Sequence, residues 1–301
     1  MVVRRPIATG FYSPSLDETK ELIRNSFLDP QGPGKLPKAR TDGPRNIIGG
    51  ISPHAGYIYS GPIAAHLFYE LACDGRPETF VIIGPSHGGY LGTAIMEKGF
   101  WQTPLGKVKI DETLAESIMK LGREEDKRLI VADSWPHERE HSLEVQLPFL
   151  QFLYGEDFNI VPITVGRSDL DTCRRTGEVV AKAIEENKRD SVILASTDMT
   201  HYGSMFYGFA PAGPGPIEKV IKWIYRTDGE IISAICELDT NKMLNLAKKT
   251  TMCGSVPVAI ALEASRVLDA KEVRKLKYAT SYDTRGSEDA IVGYLSVKIT
   301  R

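Results

Sequence analysis

The stretch Ile47-Ile-Gly-Gly-Ile-Ser-Pro-His54 is an apolar run that passes directly into a polar loop ending in histidine. The same arrangement recurs in Phe80-Val-Ile-Ile-Gly-Pro-Ser-His87 and in Val192-Ile-Leu-Ala-Ser-Thr-Asp-Met-Thr-His201. Short apolar runs bounded by glycine, proline and serine predict strands that are buried on both faces. Ligands of open α/β sheets bind outside the carboxyl ends of parallel strands, so three such loops predict one shared polar site.

Apolar runs and helical patterns alternate through the rest of the chain. We predict strands over residues 46–52, 79–84, 159–165, 191–196, 276–282 and 290–299, and a short antiparallel pair within 93–110. Apolar positions spaced by three or four predict helices over 61–73, 111–121, 142–153, 170–187, 217–236, 240–248 and 255–268, and a capping box at Ser15 predicts one more, ending near Pro30. The alternation predicts an α/β fold with a central, mostly parallel but mixed sheet, flanked by helices on both faces.

Composition is that of an ordinary globular protein. The 301 residues include 37 basic and 39 acidic side chains, which are interspersed and leave a net charge of -2. This balance provides no field that would attract nucleic acid or anionic lipid. We find no interdomain linker, no signal peptide and no apolar span of about 20 residues, so we expect a single cytoplasmic domain over residues 1–301 with neither nucleic-acid nor membrane partners.

Metal binding is the chemistry that the histidine loops favour. Glycine-flanked loops let imidazoles such as those of His54 and His87 approach one centre closely, because no Cβ holds the backbone away. A single such histidine is more often a hydrogen-bonded loop residue, but three after buried strands are improbable by chance. Cys253 precedes a predicted helix, whose N-terminus would lower the thiol pKa and make the cysteine a ligand or a nucleophile. Its alternative interpretation is a small buried side chain at a turn.

The segment Trp135-Pro-His137-Glu-Arg-Glu-His141 contains an H-E-x-x-H motif, which is typical of zinc protease helices. Proline precedes the motif, and helical periodicity starts only at Leu143, with Ser142 as the expected N-cap. We therefore expect His141, and Glu144 after it, to line the pocket instead. His66 lies among apolar helix residues and is expected to be structural.

At these residues the chain resembles the Memo family, also called the AmmeMemoRadiSam family, from about Arg5 to Ile299. The segments that carry the resemblance are Ser52 to Gly61, Gly84 to His87, Glu140 to Glu144, Ser196 to Gly203, Cys253-Gly254 and Val292 to Tyr294. The family is similar to the class III extradiol dioxygenases (LigB-like), which hold non-haem Fe(II) with two histidines and a glutamate.

The resemblance implies that His54, His87 and Cys253 are metal ligands, with Asp198 and His201 beside them either as acid-base groups or as residues that support the ligands. Tyr57 and Ser86, within the matching segments, are expected to line the pocket. A thiolate in place of the dioxygenase carboxylate favours copper or zinc more strongly than iron, which puts ring cleavage in doubt. Prokaryotic relatives accompany radical-SAM and AMMECR-domain proteins, which are the implied partners.

Three functions compete on these grounds. The first is a metal-dependent redox enzyme using iron or copper, in which His201 moves protons and Asp198 orients it. The second is a module that binds a peptide or phosphopeptide in a former catalytic cleft. The third is a zinc-dependent hydrolase.

Overall fold

The computed structural model describes residues 2–301, in which the sequence forms a mixed sheet covered by helices on both faces. The described strands are β1 (Val3–Arg4), β2 (Ile47–Ser52), β3 (Thr79–Pro85), β4 (Thr93–Ile95), β5 (Phe100–Thr103), β6 (Gly106–Ile110), β7 (Val131–Ala132), β8 (Asn159–Val165), β9 (Ser191–Ser196), β10 (Asp198–Tyr202), β11 (Glu272–Thr280) and β12 (Ile291–Thr300).

Ten α-helices complete the fold over the same described residues. They are α1 (Leu16–Leu28), α2 (Tyr57–Asp74), α3 (Glu112–Glu125), α4 (Leu147–Tyr154), α5 (Leu170–Asn187), α6 (Ser204–Tyr207), α7 (Ile217–Cys236), α8 (Thr240–Ala247), α9 (Ser255–Val267) and α10 (Ser281–Arg285). Helices α1, α2 and α4 pack together, and α3, α5 and α9 pack together, so the two groups form separate layers. No helix within residues 2–301 is long and apolar enough to cross a membrane.

The central part of the sheet is parallel. Its order is β6-β8-β3-β9-β2, with every neighbouring pair parallel. Strand β12 runs antiparallel to β2 along its second half and antiparallel to β10 along its first half, so β10 continues the line of β2. All residues of β2, β3 and β9 are buried, because helices cover both faces of these strands. Their carboxyl ends therefore meet at one edge.

The sequence-based predictions of the elements are confirmed for all six long strands, with shifts of up to four residues at their ends, and for the antiparallel pair, which is β5 and β6. The predicted helix over 142–153 starts later, because residues 144–146 form a 3-10 turn and α4 begins at Leu147. Ser142 is not its N-cap; its hydroxyl donates to the carbonyl of Pro85 instead. Strand β10 and the short strands β1, β4 and β7 were not predicted from the sequence.

Candidate metal centre

Three potential metal ligands converge at the carboxyl edge of the parallel strands. His54 follows β2, His87 follows β3, and Cys253 lies just before α9. One ligand atom from each residue lies within 4.8 Å of the others. The Cys253 Sγ atom is 3.2 Å from His54 Nε2, and the rings of His54 and His87 have centroids 5.3 Å apart. Two imidazoles and a thiol at these separations match the donors of a zinc, iron or copper site.

The hydrogen bonds around His54 leave its Nε2 atom free to bind a metal. Its Nδ1 atom lies 2.9 Å from the hydroxyl oxygen of Ser196. That hydroxyl donates its proton to the carbonyl of Ser142 and accepts a hydrogen bond from Gln146, so it can only accept from His54. Nδ1 of His54 therefore carries the ring proton, and the lone pair of Nε2 faces Cys253.

Glu140 orients His87 in the same way. One carboxylate oxygen lies 2.9 Å from His87 Nδ1, and the other accepts from the His87 backbone N–H at 2.6 Å. Burial opposes protonation of His87, but the Glu140 hydrogen bond and charge outweigh it and raise the His87 pKa. Burial acts against the Glu140 carboxylate as well, yet hydrogen bonds from His87 and Ser142 lower the Glu140 pKa to about 2. A carboxylate that accepts from Nδ1 directs Nε2 to the metal and makes it a stronger donor.

The position of the Cys253 sulfur depends on the close approach of the start of α9 to the end of β9. A Cβ atom on Gly254 would lie 2.5 Å from the Ser196 carbonyl oxygen, so only glycine lets the start of α9 approach the end of β9 this closely. The Cys253 sulfur accepts from the Asp198 backbone N–H at 3.4 Å. The predicted lowering of the thiol pKa by the helix N-terminus is wrong for the metal-free chain. Burial, reinforced by the Asp198 charge, raises the Cys253 pKa.

Asp198 and His201 both lie on β10 beside the ligands. Asp198 is 3% exposed and accepts from the His54 backbone N–H at 2.9 Å, and burial raises its pKa. It does not orient His201, contrary to the sequence-based hypothesis. The Nδ1 atom of His201 lies 3.1 Å from the carbonyls of Met199 and Thr251, which makes it the protonated nitrogen and leaves Nε2 as an acceptor.

Two cavities reach this centre from different sides. The larger has a volume of about 620 Å³ and is lined by His54, His87, His141, Asp198 and His201, among others. The smaller, of about 420 Å³, is lined by Ser86, His87 and Cys253 along with residues of the loop after β3 and the start of α9. His141 stacks on His87 with centroids 4.5 Å apart, and burial lowers its pKa to about 4. His141 is therefore a neutral wall of the larger cavity at neutral pH.

Glu144 and Tyr57 line neither of these two cavities, so the expectation that they line the pocket is wrong. Glu144 is fully buried, pairs with Arg4, and accepts from Tyr12 and from the backbone of Ile7 and Ala8. It holds the N-terminal segment against the domain. The buried Tyr57 hydroxyl donates to the Val145 carbonyl at 2.6 Å. Both side chains therefore have structural roles.

The H-E-x-x-H segment does not form a zinc protease helix. Residues 135–137 are a 3-10 turn, and the buried His137 ring bonds to Thr164 rather than facing His141. Burial, together with the Arg4 charge, lowers the His137 pKa to about 3. His66 lies on α2, and its Nε2 atom is 2.9 Å from the Gln31 carbonyl oxygen, in keeping with a structural role.

Comparison with known proteins identifies the family. The Memo-like protein family model matches residues 4–298. The chain belongs to the Memo family. It is 40% identical to a MEMO1 family protein of Methanopyrus kandleri over 99% of both chains, and 39% identical to a MEMO1 family protein of Pyrococcus abyssi over the full length of both. An uncharacterized protein of Escherichia coli K12 with a crystal structure is 14% identical, with a TM-score of 0.48 over 84% of this chain and 99% of that one.

Sequence reasoning missed several residues that shape this Memo family site. Glu140 and Ser196, which set the ring protons of the two histidines, were not among the predicted site residues. Glu140 lies one residue before His141, so its position beside a predicted pocket residue was the available signal. The aromatic residues of α6 were also missed, because their role depends on how the loop after β10 folds back over the cavity.

Proposed function

We propose that this Memo family protein is a metal-dependent redox enzyme that holds iron or copper with His54, His87 and Cys253. The observation that supports the proposal is the hydrogen-bond arrangement that leaves both Nε2 atoms free beside the sulfur. A metal bound by three protein ligands retains coordination positions for a small molecule and supplies Lewis-acid or electron-transfer chemistry there. The large cavity beside the ligands provides space for a substrate.

The residues around the ligands support proton transfer. His201 lines the cavity, and its Nδ1–H is engaged by backbone carbonyls. Its Nε2 atom can therefore accept a proton from a bound substrate and return it, without the ring having to turn. Asp198 holds the backbone of His54 and, through its own N–H, the Cys253 sulfur. We assign it the task of keeping both ligands in place.

The competing functions receive less support. A zinc hydrolase of the H-E-x-x-H type needs both histidines on one helical face, which this chain does not provide. A phosphopeptide module would be expected to offer arginine or lysine, and neither is among the described residues that line the large cavity.

Anaerobic loading with Fe(II) or Cu(I), followed by elemental analysis, tests the metal assignment. We expect wild-type protein and the His66→Ala control to retain stoichiometric metal and His54→Ala to lose most of it. Unchanged metal content in His54→Ala would end the proposal.

A second experiment tests whether the metal-loaded protein is an enzyme. Its dioxygen uptake is measured in the presence of a set of small organic molecules. Turnover should vanish in His201→Gln while metal content stays the same; equal turnover in that variant would refute the role of His201.

A further inference from the structure

The mouth of the large cavity is built from aromatic side chains that are unusually open to solvent. Tyr59, Phe206 and Tyr207 line the cavity and are 37%, 68% and 40% exposed. Phe206 and Tyr207 belong to the short helix α6, and the Tyr207 ring lies 5.1 Å from that of His201, between centroids. Phe11 and the buried Tyr294 continue the aromatic wall inwards. Exposed rings around a concave site mark a surface that a ligand covers.

The charges that face this aromatic wall are negative. Asp198 lies at the inner end, and Glu288 and Asp289 lie in the loop before β12, also in the cavity lining. Among the described residues, the lining of this cavity contains neither lysine nor arginine. An anionic ligand would therefore meet like charges.

Aromatic ring faces and carboxylates both attract cations. The face of a phenyl or phenol ring carries a partial negative charge and binds ammonium groups, most strongly where water is excluded. Carboxylates at the rim add a Coulomb attraction that reaches into the solvent and steers a cation inwards. A cavity volume of about 620 Å³ is in the range of small-molecule sites.

We propose that the large cavity binds an organic cation, an ammonium group carried on an apolar or aromatic body, with the ammonium held between the rings of α6 and the carboxylates of Glu288 and Asp289. This inference rests on the proposed function, since it names the substrate class of the same cavity. The body of the ligand would extend along Phe11 and Tyr294 towards His54 and His87. The charged group stays at the mouth, away from the metal ligands.

Calorimetry on the metal-free protein in chelator tests the inference independently of the metal. Benzyltrimethylammonium is the probe, because its quaternary nitrogen cannot coordinate a metal; N-benzylacetamide is the neutral match and phenyl phosphate the anionic one. We expect the cation to bind at least about tenfold more tightly than the amide, and phenyl phosphate to bind more weakly than both. Equal binding of the cation and the amide, or tighter binding of phenyl phosphate, would overturn the proposal and leave the metal assignment untouched.

Variants locate the binding. We expect the double variant Glu288→Gln/Asp289→Asn to lower the affinity for the cation roughly tenfold, and Phe206→Ala to do the same. The affinity for the amide should fall less in both variants. Glu230→Gln, an exposed acidic position on α7, is the matched control and should bind like wild type. Full cation affinity in both cavity variants would contradict the assignment. A lysine-bearing hexapeptide and phenethylamine distinguish two sources of the ammonium group. Tighter binding of the hexapeptide indicates a peptide, and tighter binding of phenethylamine indicates a free amine.

Discussion

His54 Nε2 and Cys253 Sγ lie 3.2 Å apart although 199 residues separate them along the chain. The contact exists because β2 and β9 are parallel neighbours and α9 starts against the end of β9. Metal binding therefore depends on the long-range packing that holds these two atoms together.

Glu140→Gln should weaken metal binding about 10- to 100-fold, because His87 loses the carboxylate that fixes its ring proton. The amide can still accept one hydrogen bond, so we expect the fold to persist. Chelator competition with Zn(II) measures the affinity. Glu138→Gln, which changes an exposed residue of the same segment, is the control. Similar affinities for the two variants would show that Glu140 does not act through His87.

Gly254→Ala should disturb both stability and metal binding. Its Cβ would overlap the Ser196 carbonyl and Thr197, and neither backbone can move without shifting Cys253 or His54. We expect a loss of about 1–3 kcal/mol in the free energy of unfolding. Gly229→Ala on α7 has open space for the methyl group and should be neutral or slightly stabilising. Urea unfolding compares them; a neutral Gly254→Ala would mean that the approach of α9 to β9 is looser than described.

Glu144→Gln should unfold the protein more easily without changing its metal content. The substitution leaves the buried Arg4 charge without its partner, which costs about 3–5 kcal/mol. Because Glu144 holds the N-terminal segment, proteolysis should begin there. Metal analysis of the folded fraction separates this role from a pocket role. Loss of metal in a variant of unchanged stability would restore Glu144 to the site.

His137 should make the protein less stable in acid. Burial lowers its pKa to about 3, whereas the unfolded chain keeps about 6.5. The unfolded state therefore binds the extra proton as pH falls below about 6.5, and stability drops by up to about 1.4 kcal/mol per pH unit towards pH 3. In His137→Gln this part of the decline should disappear. Urea midpoints for both proteins at pH 7.5, 5.5 and 4.5 measure it, and parallel declines would contradict the assignment.

The parallel centre of the fold was predictable because β2, β3 and β9 are continuous apolar runs, which only a sheet covered on both faces accommodates. Because two of these runs lead directly into His54 and His87, the parallel sheet also predicted that these histidines lie at one edge. Strand β10 was not predictable, since Asp198-Met-Thr-His-Tyr202 is polar and becomes a strand only by pairing with β12, about 90 residues later.

Side-chain direction limited the prediction of the site. Glu140, His141 and Glu144 are close in sequence, but Glu140 turns to His87, His141 lines the cavity, and Glu144 turns to Arg4. The N-terminal segment that captures Glu144 is more than 130 residues away, so no local pattern reveals the pairing. The effect of burial on the Cys253 pKa also depended on packing that the helix N-terminus alone does not indicate.

X-ray absorption spectroscopy of the metal-loaded protein tests the ligand set most directly. Wild-type protein should show one sulfur at about 2.3 Å beside lower-mass nitrogen ligands. In Cys253→Ser the sulfur shell should vanish while imidazole scattering remains, and Cys73→Ser, at an exposed cysteine, should leave the spectrum unchanged. A wild-type spectrum without sulfur, or a sulfur shell that survives in Cys253→Ser, would contradict the proposed metal centre.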